Sequence, residues 1–297
     1  MKRMLLILAA LSAPLTANAL NVFACEPEWG ALTKEIAGDT VTVTTGTTAF
    51  QDPHYMQAKP SLIAATRDAD LVVCSGADLE IGWLPLLLRR SANPRIQVGS
   101  PGYFLASDYV RKLEVPKIID RSQGDLHPQG NPHIQLNPHN IERVAKALTD
   151  RLAQLDGANA ALYRKNSEDF LQRWSDAELE WEDQAADLEG MRLVTYHTSF
   201  SYLADWLGLD VVATLEPKPG VPPSGAQLAR LLEQLTPNPP VAVVRTPYEN
   251  EKPAIWLSER LKVPQVVLPY TIGGDDKVTD LFTLYSETIR LLKEQLR

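Results

Sequence analysis

Five histidines stand in this chain of 297 residues: His54, His127, His133, His139 and His197. His54 lies in Gln51-Asp52-Pro53-His54, in a loop after a β-rich run, and His133 lies in the Gly/Pro-rich Gly130-Asn131-Pro132-His133. His197 ends the run Leu193-Val194-Thr195-Tyr196-His197, directly before a helical segment. Neutral imidazole nitrogens suit Zn2+, which takes them at about 2.0–2.1 Å in tetrahedral geometry. Three dispersed histidines are a weaker signal than a local paired motif, so the elements that carry them decide.

From Leu20 to about Thr149 short β runs alternate with amphipathic segments. Asn21–Cys25, Thr40–Thr45, Asp70–Cys74 and Arg95–Val98 read as strands, and Glu28–Ile36, Pro60–Arg67 and Leu79–Ser91 as helices. The pattern restarts after about Glu189, with strands at Arg192–Tyr196, Asp210–Leu215, Val241–Arg245 and Gln265–Leu268. Helices are expected there at Phe200–Leu207, Ser224–Leu235, Pro253–Leu261 and Val278–Leu296. Strand-helix alternation gives βαβ units, so the fold class is α/β, with two lobes built on parallel-rich sheets. Ile141 to Leu188 holds neither strand nor proline, and Ala158 to Leu188 reads as one long helix, a rigid connection. Trp174 and Trp181 on it read as packing residues. The expected division is 20–156 for the first lobe, 157–188 for the linking helix and 189–297 for the second lobe. Ligands of open α/β sheets bind beyond the carboxyl ends of strands. His54 and His197 occupy such positions in different lobes, so a cleft between the lobes would collect both.

Composition narrows the classes. The 29 basic and 37 acidic residues leave −8, with no dense Lys/Arg run, which excludes nucleic acid as a partner. Met1-Lys2-Arg3-Met4, an apolar stretch from Leu5 to Leu15 and Ala17-Asn18-Ala19 have the form of a signal peptide, residues 1–19, cleaved after Ala19. The apolar run is shorter than the roughly 20 residues that span a bilayer, so soluble export to the periplasm is expected. Cys25 and Cys74 are the two cysteines, both at strand ends. An even count in an oxidising compartment favours a disulfide over two buried thiols.

With the residues set out, the chain resembles the metal-binding family of periplasmic solute-binding proteins that serve ABC transporters for zinc and manganese. The likeness rests on three ordered motifs: Asp52-Pro53-His54 through Pro60-Ser61, Pro132-His133 through Pro138, and His197-Thr198-Ser199-Phe200 through Gly208-Leu209. It implies two lobes joined by a rigid helix, a metal site in the cleft, and His54, His133 and His197 as metal ligands. It implies Zn2+ as the transported ligand, a membrane permease as partner, and a monomer with no enzymatic role. The family's fourth ligand is often an Asp after the last strand, where Tyr270 stands here. That position is left open to a water, to Asp275 on the Gly273-Gly274 turn, or to another loop group, with His127 in Asp125-Leu126-His127 as an auxiliary candidate. Asp275 reads equally as an acid at the start of the last helix. His139, beside Pro138, reads as a helix-start residue.

Glu26, just past the first strand, and Glu216 and Glu249, just past strands of the second lobe, are candidates to hydrogen-bond an imidazole's remaining N–H and fix its tautomer. Glu26 reads equally as a first-turn helix acid. Zn2+ is preferred over Mn2+ because manganese favours oxygen-rich sites. A secreted zinc hydrolase is the rival class, since three histidines and water are also a catalytic set. It lacks support: the sequence has no HExxH motif. An adhesin on the same scaffold is the remaining alternative.

Overall fold

In the computed structural model, which describes residues 19–118, 124 and 127–295, the alternating pattern becomes two four-stranded sheets. The first holds β1 (Leu20–Ala24), β2 (Val41–Thr45), β3 (Leu71–Cys74) and β4 (Tyr103–Leu105) in the order β2-β1-β3-β4. The second holds β5 (Arg192–Thr195), β6 (Asp210–Thr214), β7 (Ala242–Arg245) and β8 (Gln265–Val267) in the order β6-β5-β7-β8. Every neighbouring pair is parallel. Parallel strands need both faces covered, which is why β3 (LVVC) and β7 (AVVR) are buried along their whole length. The strand order reverses at β1 and at β5, and the crevice at such a switch point is where this architecture places ligands.

Helices α1 (Pro27–Ala37), α2 (Pro60–Asp68), α3 (Leu84–Ser91) and α4 (Pro138–Leu155) cover the first sheet, and α6 (Ser201–Leu207), α7 (Gly225–Leu235), α8 (Glu251–Leu261) and α9 (Leu281–Glu294) belong to the second half. Between them runs α5 (Ala160–Ala185), 26 residues long, about 39 Å at 1.5 Å per residue. It is no solvated spacer. Tyr163, Phe170, Trp174 and Trp181 are buried on one face, and α5 packs against α1, α4 and α9. The Trp174 indole N–H donates to the Pro138 carbonyl at 3.1 Å, and Trp181 stacks on Tyr285 with centroids 4.8 Å apart. One apolar core runs from Val22 and Leu71 in the first sheet through these rings to Leu193 and Val244 in the second. A helix set into a shared core restrains hinge motion more firmly than a flexible linker.

Three expectations are corrected at the level of elements. Arg95–Val98 is not a strand: Pro94–Ile96 forms a single 3-10 turn, and the edge strand comes later, at β4. The Asn93 side chain decides it, accepting the Arg95 N–H at 3.0 Å while its amide donates to the Thr66 and Ala69 carbonyls. The helix expected from Leu79 starts at Leu84, because Ala77 and Asp78 adopt positive φ and residues 79–83 make turns. The helix expected from Val278 starts at Leu281, fixed by a capping box between Asp280 and Thr283. Residues 1–18 of the signal-peptide segment, and Asp125 and Leu126, lie outside the described residues.

Cys25 and Cys74 form a disulfide with Cα atoms 4.8 Å apart. Parallel pairing of β1 with β3 brings them together, the Cys25 N–H donating to the Val73 carbonyl at 2.8 Å. Among the described residues no helix is long and apolar enough to cross a membrane.

Candidate metal centre

Each histidine of the cluster is held by a local device. Asp52 caps the short turn Pro53–Tyr55, its carboxylate accepting the His54 backbone N–H at 2.9 Å and lying 2.7 Å from His54 Nδ1. The Trp83 indole clamps the same turn by donating to the Pro53 carbonyl at 2.8 Å. The Asn131 side chain accepts the His133 N–H, and Tyr270 Oη lies 2.7 Å from His133 Nδ1. His197, at the carboxyl end of β5, places Nδ1 2.7 Å from Glu216 Oε2, which also accepts the Gly220 N–H.

With the Nδ1 side of His54, His133 and His197 engaged, their Nε2 atoms turn inward. Ligand atoms of these three all lie within 4.8 Å of one another. His133 and His197 approach to 3.2 Å between Nε2 atoms, and His54 and His127 do the same at 3.2 Å. Two nitrogens bound to one tetrahedral zinc at 2.0–2.1 Å are separated by about 3.3 Å. Those two contacts match the edge length of a zinc tetrahedron. Beside it opens a cavity of about 210 Å³ lined by Asp52, Tyr55, His197, Glu216 and Glu249, among others.

The electrostatics keep donors available. Burial, reinforced by the other histidines, pushes His133 well below its ordinary value and His127 down to about 3, so both rings are neutral at pH 7. His197 goes the other way: burial disfavours its charge, but the Glu216 hydrogen bond and negative charge outweigh it and raise its value. The Ala77 backbone, accepting a hydrogen bond from the His127 ring, works against that lowering.

The remaining candidates divide. Glu216 touches a cluster histidine. Glu249 lines the cavity, yet its carboxylate accepts the Thr246 N–H at 2.6 Å, and burial pushes it up to about 7. Glu26 does not reach an imidazole: it is buried against Ser75, accepting from its N–H and Oγ at 3.2 and 3.1 Å. Asp275 is likewise not brought to the cluster. Its carboxylate accepts the Lys277 N–H and its carbonyl the Val278 N–H, so it shapes the turn before α9. His127, the auxiliary candidate, brings its Nε2 to 3.2 Å from that of His54. Tyr270, at the place where an Asp was expected, backs His133 rather than facing the cluster centre. Asp52 and Asn131 escaped the sequence reading, although Asp52 two residues before His54 and Asn131 two before His133 are the spacing of an Asx turn.

Against solved structures the chain superposes on the crystal structure of ZnuA with a TM-score of 0.77, covering 93% of this chain and 98% of that one at 22% identity, which speaks to the fold. It is 28% identical over 203 residues to the high-affinity zinc uptake system protein ZnuA of Bacillus subtilis, 67% of this chain and 62% of that protein. It is 26% identical over 207 residues to the zinc-binding lipoprotein AdcA of Streptococcus pneumoniae, 69% of this chain and 41% of that protein. The matched stretch spans less than two thirds of either relative. The family model for the periplasmic zinc-uptake complex component A, ZnuA, matches residues 22–295, and the chain belongs to that family.

Proposed function

We propose that this protein captures Zn2+ in the periplasm and hands it to the membrane permease of an ABC importer, acting as a monomer and catalysing no reaction. The observation that carries this reading is the convergence of His54, His133 and His197, with ligand atoms within 4.8 Å of one another, beside His127, whose Nε2 lies 3.2 Å from that of His54. Four nitrogens would close a zinc tetrahedron, whereas catalytic zinc keeps one position for water. That separates a carrier from a hydrolase on the same three-histidine core. An all-nitrogen set also favours Zn2+ over Mn2+, which prefers oxygen ligands. Asp52 and Glu216, on the outer nitrogens of His54 and His197, would fix the tautomers that present Nε2 to the ion. Export after cleavage behind Ala19 would bring the mature net charge from −8 to −10 by removing Lys2 and Arg3.

Protein recovered from its native compartment without added metal is the sample of choice, because Cu2+ and Ni2+ bind nitrogen sites well in vitro. Mass spectrometry of its metal content should find about one tightly held zinc per chain. Predominant manganese, or no retained metal after loading with zinc and removal of the free ion, would reject the reading.

A further inference from the structure

His54 and His197 are each backed at Nδ1 by a carboxylate, Asp52 and Glu216, at 2.7 Å. An ionised carboxylate only accepts, so each holds its ring with the proton on Nδ1 and a lone pair on Nε2. His133 differs. Its Nδ1 faces the Tyr270 hydroxyl at 2.7 Å, and both residues are buried, His133 completely. A hydroxyl donates as readily as it accepts, so this contact is compatible with either His133 tautomer.

His133 Nε2 lies 3.2 Å from His197 Nε2. With the His197 proton on the Glu216 side, that distance fits a zinc ion shared by two lone pairs, and it also fits one N–H donated from His133 to His197. The second arrangement satisfies every group without a metal: Tyr270 O–H donates to His133 Nδ1, His133 Nε2–H to His197 Nε2, and His197 Nδ1–H to Glu216. The Thr198 hydroxyl, the other donor near His197 Nε2, stands off at 3.5 Å. The first arrangement needs His133 Nδ1–H donating to Tyr270 Oη, and the hydroxyl proton then needs a new acceptor. Gln135 can supply one. It is fully buried beside the Tyr270 side chain, its Nε2 donates to the Tyr270 carbonyl at 3.2 Å, and its Oε1 receives no hydrogen bond.

We propose that Tyr270 is a positioning residue that lets His133 switch between these two tautomers, its hydroxyl donating to Nδ1 in the metal-free protein and accepting from Nδ1 when zinc is held. The ring's single proton leaves Nε2 and returns at Nδ1 by exchange with water, so His133 takes up and releases no net proton. The metal-free chain of hydrogen bonds crosses the lobes, since Tyr270 follows β8, His133 precedes α4 and His197 lies just past β5. It keeps two buried lone pairs from facing each other and holds this half of the site together before the ion arrives. A carboxylate in place of the hydroxyl would leave His133 Nε2 bare at all times. The zinc-bound half of the switch rests on the zinc-carrier reading above; the metal-free half does not.

Nitrogen NMR of the mature full-length chain with 15N-labelled histidine reads the ring protons directly, the His133 signals being assigned by their loss in His133→Ala. The spectra are taken at pH 9, where burial still keeps the Tyr270 hydroxyl protonated. In the metal-free wild type His133 should carry its proton on Nε2 while His197 carries it on Nδ1. Added zinc should move the His133 proton to Nδ1 and leave that of His197 in place. Tyr270→Phe removes only the hydroxyl, so the zinc-bound Nδ1–H loses its acceptor and zinc binding should weaken about 10–100-fold. A His133 proton on Nδ1 in the metal-free wild type, a proton that zinc does not move, or wild-type zinc affinity in Tyr270→Phe overturns the switch. Failure of the zinc-carrier reading looks different: His54→Ala and His197→Ala would then bind zinc as the wild type does, whichever nitrogen of His133 carries the proton.

Discussion

Nε2 of His133 and Nε2 of His197 lie 3.2 Å apart, although one histidine precedes α4 of the first lobe and the other ends β5 of the second. Because His197 Nδ1 faces the Glu216 carboxylate at 2.7 Å, that nitrogen carries the proton, and in the neutral ring Nε2 is a bare lone pair. It points at the nitrogen of a fully buried imidazole that burial keeps neutral. A metal ion held by both Nε2 atoms would resolve this arrangement and would tie the lobes together.

The identity of the fourth donor is open to direct measurement. His54→Ala, His133→Ala and His197→Ala should each weaken zinc binding by more than 100-fold, beyond the roughly 10–100-fold expected for a residue that only supports a ligand. His127→Ala should fall in the same class. Asp275→Ala should stay near wild type, since its carboxylate is engaged with the Lys277 N–H. Competition titration against a chromophoric chelator reads all five. A mild His127→Ala beside a severe Asp275→Ala would return the fourth position to the carboxylate.

Proton competition should expose the role of Glu216. Its contact raises His197 above its ordinary 6.5 despite burial, and zinc requires the neutral ring. Wild-type affinity should therefore decline as pH falls, starting above 6.5, with about one proton taken up. His127 and His133, both lowered, contribute nothing in that range. In Glu216→Gln, affinity at pH 8 should drop about 10–100-fold. The onset of the pH dependence should move to lower pH, because burial is then opposed only by the weaker pull of the Glu249 and Asp52 charges. The two curves should converge on acidification; parallel curves would remove Glu216 from this role.

Much of this was legible in residue order and some of it was not. The α/β alternation, the helix through Trp174 and Trp181, and three of the four clustered histidines follow from periodicity, from positions at strand ends and from family likeness. His127 was harder because its loop carries no strand or helix signal to place it opposite His54. Asp275 stayed open in the sequence because a Gly-Gly turn near the family's usual position is compatible with folding back; in the fold its carboxylate accepts the Lys277 N–H and its carbonyl the Val278 N–H. The strand expected at Arg95–Val98 failed for a tertiary reason: Asn93 spends its side chain on the α2–β3 connection and on capping the next turn.

The disulfide should matter to stability. Cys25 and Cys74 are 49 residues apart, and closing a loop of that length in the unfolded chain is worth about 4 kcal/mol in the chain-entropy model. Replacing both cysteines by serine should lower unfolding free energy in urea by about 2–4 kcal/mol. Thiol counting on the unfolded, unreduced wild type should find essentially none. Two free thiols would show that the pair stays reduced.

Beside that disulfide a second buried acid group sets a pH dependence of folding. Glu80 is buried with both carboxylate oxygens on the Gly76 N–H, at 3.2 and 3.1 Å. Burial pushes its carboxyl up to about 7 against an ordinary 4.5, and that desolvation outweighs the lowering by backbone and Glu26 hydrogen bonds. A carboxyl raised on folding makes the folded state bind more protons than the unfolded state between those two values, so its contribution to stability is lost as pH rises through that window. Glutamine stays neutral throughout, fits the same space and still accepts from Gly76. The stability difference between Glu80→Gln and the wild type should therefore shift in the variant's favour from pH 5 to pH 7 and then level off. Titrating groups away from Glu80, including the two lowered histidines, act on both proteins and cancel in the difference, whereas Glu26 and Glu28, which the Glu80 charge pushes up, are relieved in the variant and shift it in the same direction. Urea unfolding of the metal-free proteins at pH 5, 6, 7 and 8 reads it, and a difference independent of pH would mean that Glu80 keeps an ordinary carboxyl in the folded protein.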